Sequence, residues 1–150
     1  MISSILLAAG QSKRMNGENK LTKEVRGIPL IKHSVQNILN SSIDELVVVL
    51  GYQKEIIEKL IEKHEKIKFV FNQNFDIGMA SSIKIGVDNL SEKTEAFFIS
   101  LGDMPNVGEE IYNQLINSKF NNKDKEIFVP YYQERQANPI LFSKKMKDKI

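Results

Sequence analysis

The chain contains no cysteine. Disulfides, zinc thiolates and cysteine nucleophiles are thereby excluded, and a reducing compartment suits it. It also has little net charge. The 21 basic side chains against 19 acidic ones leave only +2, which makes no case for nucleic acid as a partner. No apolar run reaches the roughly 18 residues that cross a bilayer, so no membrane association is expected. The apolar N-terminus is short and no basic segment precedes it, which argues against a secretory signal. There is no Pro- or Ser-rich linker, no internal repeat and no low-complexity tract. These absences together point to a cytoplasmic protein. What is present is 150 residues, 41% hydrophobic and 27% charged, an ordinary composition for one globular domain. A chain of that length buries roughly 70% of its unfolded surface and folds without staples.

The periodicity alternates between strand and helix. Residues 2–7, 46–50, 68–71 and 96–101 read as strands, with further strands at 126–129 and 138–142. Residues 29–39, 54–64, 79–90 and 109–119 read as helices, with Pro29 suited to a first turn. The polar stretch 117–125 reads as a surface turn, and residues 144–150 read as the opening of a further helix. Strands separated by helices predict an α/β fold with right-handed crossovers and a mainly parallel sheet. In such sheets ligands sit at the carboxyl ends of strands, near the point where strand order switches.

Three strand ends carry unusual residues. The first is LLAAGQSKRMNGENK over residues 6–20. Its small residues let a backbone approach a ligand, and successive amides there can form an anion site. Lys13, Arg14 and Lys20 follow within reach of phosphates, a point charge and a planar fork both suiting a triphosphate. Neither the G-x-G-x-x-G dinucleotide pattern nor the G-x-x-x-x-G-K-[ST] phosphate loop is present. A solvated basic turn is the competing reading. The second is LGDMPNV over residues 101–107. Asp103 there is a hard oxygen ligand suited to Mg²⁺, or else a turn residue. The third runs from Phe71 to Val87, where Asn72 ends a strand and Gly78 opens a helix bearing Ser81 and Ser82. That helix start can hold an anion or a sugar hydroxyl, or simply cap and pack.

Taken in order, LAAG-x-S-x-RM, a Gly and a Lys, G-M-x-x-S-x-x-x-G, GDMP and NP-[IV]-L-F resemble the molybdenum cofactor cytidylyltransferases over residues 1–142. The resemblance implies a Rossmann-like, three-layer nucleotidyltransferase fold. It implies that Leu7, Ala8, Ala9, Gly10, Arg14 and Lys20 surround the nucleotide, with Asn72, Gly78 and Ser82 lining the same site. It makes Asp103 the Mg²⁺ ligand, and Arg14, Lys20 and Asp103 the catalytic group. The implied reaction is attack by a molybdopterin phosphate oxygen on the α-phosphate of CTP, releasing pyrophosphate. Positioning and charge neutralisation drive such transfers, so no Ser-His-Asp set is required. Guanylyl relatives carry LAGG where this chain has Leu7-Ala8-Ala9-Gly10. The additional methyl of Ala9 favours a pyrimidine, a discrimination of ~1–3 kcal/mol. The family also implies hand-over of product to a molybdenum enzyme.

The chain departs from the family pattern in three places. Arg14 and Lys20 are six apart rather than five, with Asn16 inserted before Gly17. Gln136-Ala137 precedes Asn138-Pro139 where members usually have Gly. Members also continue to a further strand, so the chain is expected to be a domain truncated at its C-terminus. GTP in place of CTP, a sugar-phosphate acceptor, and a non-catalytic nucleotide-binding module are the alternative readings. Tyr131, Tyr132 and Arg135 either shape the acceptor pocket or belong to a mobile loop. His33 and His64 are expected at the surface, and Met15, Met79 and Met104 in packing roles.

Overall fold

The N-terminal apolar run forms β1 (Ile2–Ala8), buried along its whole length. A strand covered on both faces has no need of alternation, which is why it reads as one continuous run. The computed structural model describes residues 1–11 and 18–150. After a short 3-10 turn at Lys20–Thr22 come β2 (Glu24–Val25), β3 (Ile28–Pro29), α1 (Leu30–Asn40), β4 (Glu45–Leu50), α2 (Lys54–Leu60) and β5 (Ile67–Phe71). A 3-10 turn at Phe75–Ile77 precedes α3 (Met79–Asp88), β6 (Ala96–Leu101) and α4 (Glu109–Asn121). The chain closes with β7 (Ile127–Phe128), β8 (Tyr131–Tyr132), β9 (Arg135–Gln136), β10 (Ile140–Ser143) and a 3-10 run at Lys144–Lys149.

The main sheet has six strands in the order β5-β4-β1-β6-β10-β7. The first four are parallel; β10 pairs antiparallel with both β6 and β7. Strand order runs outward from β1 to β4 and β5, then returns to β6 on the other side of β1. The switch point therefore lies between the carboxyl ends of β1 and β6.

Two layers of helix cover the sheet. On one face Leu6, Leu46, Val48 and Phe98 pack against Ile31, Val35 and Ile38 of α1, Ile57 of α2, and Tyr112, Leu115 and Ile116 of α4. On the other face Ile5, Val47, Val49 and Phe97 meet Val87 of α3 and Leu90. Gly86 is what lets α3 lie so close: a β-carbon there would stand 2.4 Å from Ile5 Cγ2. This is the expected three-layer α/β nucleotidyltransferase fold, with its mainly parallel sheet.

Polar groups inside the sheet are paired. Ser3 Oγ donates to Glu45 Oε2 at 2.7 Å and lies 2.7 Å from Thr94 Oγ1. Tyr112 OH donates to Ser100 Oγ at 3.0 Å, and Ser100 in turn lies 3.2 Å from Ser4 Oγ. Burial pushes the Tyr112 phenol up to about 12, with the Ser100 hydrogen bond opposing the shift.

Several boundaries differ from the periodicity. The helix expected over 54–64 ends at Leu60, because Ile61 turns extended and buries its side chain in the core. The polar stretch expected as a turn from 117 is helix as far as Asn121. Those residues form the solvent face of α4, whose composition matches that of a loop. The C-terminal segment forms a 3-10 run that ends the sheet's edge rather than an α-helix. Pro29 caps α1 from an extended conformation and pairs in a two-stranded ribbon that periodicity did not reveal. Among the described residues no helix is long and apolar enough to cross a membrane.

Candidate active site

A cleft of about 380 Å³ opens at the switch point. Its floor is the end of β1: Leu7, Ala9, Gly10 and Gln11 line it, while Ala8 points to the opposite face and joins the core beside Leu6. The period of two along a strand sends neighbours to opposite faces, so Leu7 and Ala9 reach the cleft and Ala8 does not. Ala9 is itself nearly buried, and Tyr52 N donates to its carbonyl at 3.2 Å.

One wall is the end of β6 and the turn after it. Leu101, Gly102 and Asp103 line the cleft there. Gly102 N donates to Leu7 O at 3.0 Å, and a β-carbon on Gly102 would lie 3.0 Å from that same oxygen. Only glycine lets the two strand ends close so tightly. Helix α1 holds the turn from behind. Ser34 Oγ donates to Gly102 O at 2.8 Å, and Asn37 Nδ2 to Pro105 O at 3.1 Å. These two residues, three apart on one helical face, fix the backbone on either side of Asp103. Asp103 is thus a half-exposed carboxylate on a turn held in place by α1, and Lys20 Nζ pairs with its Oδ2 at 3.2 Å.

The facing wall is the start of α3. Gly78, Met79 and Ser82 line the cleft, preceded by Phe75 and Asp76. Gly78 caps the helix with φ 122°, and among the described residues no side chain takes up its first amides. The first turn carries no acidic residue either, so its free amides and the positive end of the helix dipole are available to an anion. Asn72 anchors this wall without lining it. Fully buried, it donates from Nδ2 to Ser81 Oγ at 2.8 Å and to Ser82 Oγ at 2.9 Å, and accepts from Asn74 N at 2.9 Å on Oδ1. Every polar atom of the Asn72 side chain is therefore spent on tying α3 to the end of β5.

Of the residues singled out in the sequence, the structure brings Leu7, Ala9, Gly10, Lys20, Gly78, Ser82 and Asp103 around one cleft. Ala8 and Asn72 stand behind it. Lys13, Arg14, Met15, Asn16 and Gly17 lie outside the described residues. Sequence reasoning missed Gln11, Phe75 and Asp76 as lining residues, and Ser34 and Asn37 as supports. The aromatic pair Tyr52–Phe75, 6.2 Å between centroids, braces the wall from a turn that no motif marks. Only the long-range fold reveals those five. His33 and His64 line a separate groove between α1 and α2, away from the cleft.

Comparison with known proteins agrees with this geometry. The profile of the MobA-like NTP transferase domain family matches residues 4–150. The chain belongs to that family. It is 30% identical to a "Probable molybdenum cofactor guanylyltransferase" of Methanosarcina mazei, covering 99% of this chain and 66% of that protein. It is 26% identical over 114 residues to the bifunctional protein GlmU of Staphylococcus epidermidis, covering 75% of this chain and 25% of GlmU. The chain thus spans about a quarter of the length of the GlmU relatives it matches. Among solved structures, Rv0371c of Mycobacterium tuberculosis H37Rv superposes with a TM-score of 0.86 at 21% identity, over 99% of this chain and 74% of that one. The same protein in complex with manganese superposes with a TM-score of 0.80 at 19% identity, over 99% of this chain and 73% of that one. Family and fold are those of nucleotidyltransferases, a class of enzymes.

Proposed function

We propose that this domain transfers CMP from CTP to a molybdopterin-type phosphate and releases pyrophosphate. The observation that carries the reading is the convergence of Gly10, Lys20, Asp103 and the open start of α3 on one cleft at the switch point. The triphosphate lies between cation and helix dipole. Lys20, with Arg14 six residues before it in sequence, neutralises the charge that builds up on the departing pyrophosphate. The free amides at the start of α3 orient an anionic or hydroxyl group of the nucleotide.

Asp103 fits a divalent cation. Its carboxylate is half-exposed on the cleft wall, where its Oδ2 pairs with Lys20 Nζ at 3.2 Å. A single carboxylate suits Mg²⁺, which takes one or two carboxylates and completes its shell with water and substrate phosphates. When bound, Mg²⁺ supplies Lewis-acid polarisation of the phosphate. The manganese complex of Rv0371c supports a divalent-metal requirement here. The turn that α1 holds at Ser34 and Asn37 keeps Asp103 in place.

The choice of CTP rests on Ala9, which lines the cleft floor where guanylyl relatives have glycine. One methyl is worth ~1–3 kcal/mol in such a pocket. The name of the Methanosarcina mazei relative favours GTP as a second reading. Pyrophosphate release with molybdopterin and Mg²⁺ decides between them. CTP should exceed GTP by roughly tenfold or more. Release with GTP alone would establish the second reading, release only with sugar phosphates would replace the acceptor, and nucleotide binding without release would leave a non-catalytic module.

A further inference from the structure

The hairpin β8–β9 stands at the same end of the sheet as the cleft. Strand β10 runs antiparallel to β6 with Ile140 opposite Ile99, so the chain preceding Ile140 continues past the carboxyl end of β6. Ala137 N donates to Pro130 O at 2.8 Å and closes the stem of the hairpin. Gln133 and Glu134, with φ of 48° and 63°, form its tip. Both values match the tight turn that follows strand twist, so the hairpin is an ordered ribbon. Residues 137–139 join the hairpin to β10 at the carboxyl end of β6. Asp103 follows β6 at the same end of the sheet.

The ribbon presents an unusual pair. Tyr132 sits directly across from Arg135, so ring and guanidinium share one face. Tyr132 is 71% exposed, and Arg135 is exposed beside it. On the other face Gln136 Nε2 donates to Tyr131 OH at 3.4 Å. A large exposed aromatic on an ordered ribbon has no packing role in the fold. Beside an Arg it is suited to a flat ring: the tyrosine stacks on it, and the planar fork donates to an oxygen and a nitrogen on the ring edge.

We propose that the Tyr132–Arg135 face binds the acceptor, taking a planar heteroaromatic ring with an oxo group and leaving its phosphate directed at the cleft. This rests on the acceptor reading above and adds the residues that select it. Isothermal titration with molybdopterin, and separately with CTP, tests it alongside the turnover assay. Tyr132→Ala and Arg135→Gln should each weaken molybdopterin binding about tenfold, the scale of stacking a base on an aromatic ring. Tyr132→Phe should retain the affinity, Tyr131→Ala should leave it unchanged, and CTP should bind all of them alike. Failure of the unaltered protein to bind molybdopterin overturns the inference. So does unchanged binding in both variants, a loss shared by Tyr131→Ala, or an equal loss for CTP. Binding that depends on Tyr132 with no pyrophosphate release would overturn the transfer reaction and leave the acceptor face standing. Pyrophosphate release from CTP in the presence of molybdopterin that ignores the hairpin variants would do the reverse.

Discussion

The two halves of the sheet solve different problems. The half made of β5, β4, β1 and β6 is parallel, with β4 and β1 buried on both faces, and it ends in the cleft. Small residues are prominent in the cleft lining, Gly10, Gly78, Gly102 and Ser82 among them. The half made of β10 and β7 is antiparallel and short, and it extends into an exposed ribbon bearing Tyr131 and Tyr132. In the proposed reaction the parallel half holds the nucleotide by close approach of the main chain and by the charges of Lys20 and Asp103. The antiparallel half offers side chains alone. A triphosphate, common to many enzymes, suits the first kind of surface. An acceptor, particular to one enzyme, suits the second.

The sharpest way to break this comparison is Asp103→Ala. It should lower turnover ~10²-fold or more, as loss of a transition-state stabiliser does, with little change in melting temperature. An Asp103→Ala protein with full turnover would remove the charge-based account of the parallel half. Next comes Asn72→Ala, which removes the side-chain partner of Asn74 N and of Ser82 Oγ behind the α3 wall and leaves Ser81 Oγ only its bonds to Asn74 O and Gly78 O. Chemical denaturation should show a loss of about 2 kcal/mol, the cost of leaving buried polar groups unpaired. Its KM for nucleotide should rise as the wall loosens. The hairpin substitutions come third. Their effect should be confined to the acceptor, and their stability should match that of the unaltered protein because the positions are exposed.

The smallest effect at neutral pH concerns Tyr112. Its folded pKa of about 12 lies above the ordinary 10.0, so the folded chain holds the phenolic proton more tightly than the unfolded one. The resulting stability is complete below pH 10 and is lost as pH rises from there toward 12. Tyr112→Phe should flatten that part of the stability-versus-pH curve in an alkaline denaturation series. A curve with the same slope would place the loss elsewhere.

Much of the parallel half was legible in the sequence. Residues 2–7 and 96–101 are apolar apart from Ser3, Ser4 and Ser100 and do not alternate, and the lack of alternation is what burial on both faces allows. The motifs at their ends sit where a switch point puts ligands. Two site assignments blurred for a local reason. Ala8 falls between Leu7 and Ala9 in the same motif, and only the direction of the pleat separates them. Asn72 carries a motif position, yet its amide is directed into a network that joins two elements nine residues apart. The antiparallel half was less legible. The strands at β8 and β9 have two residues each, too short for a period, and Gln133 and Glu134 are not the Asn-Gly or Gly-X pair that marks such turns. Ser34 and Asn37 were invisible because they act on a turn 68 residues away.

The central claim is that the cleft transfers the CMP unit, the α-phosphate with its nucleoside, and releases the β- and γ-phosphates as pyrophosphate. CTP labelled at the α-phosphorus, incubated with this protein, molybdopterin and Mg²⁺, tests it most directly. The account predicts that label appears in the acceptor while unlabelled pyrophosphate is released in equal amount. Label that stays in CTP, or that leaves as free CMP or CDP with none in the acceptor, would contradict it.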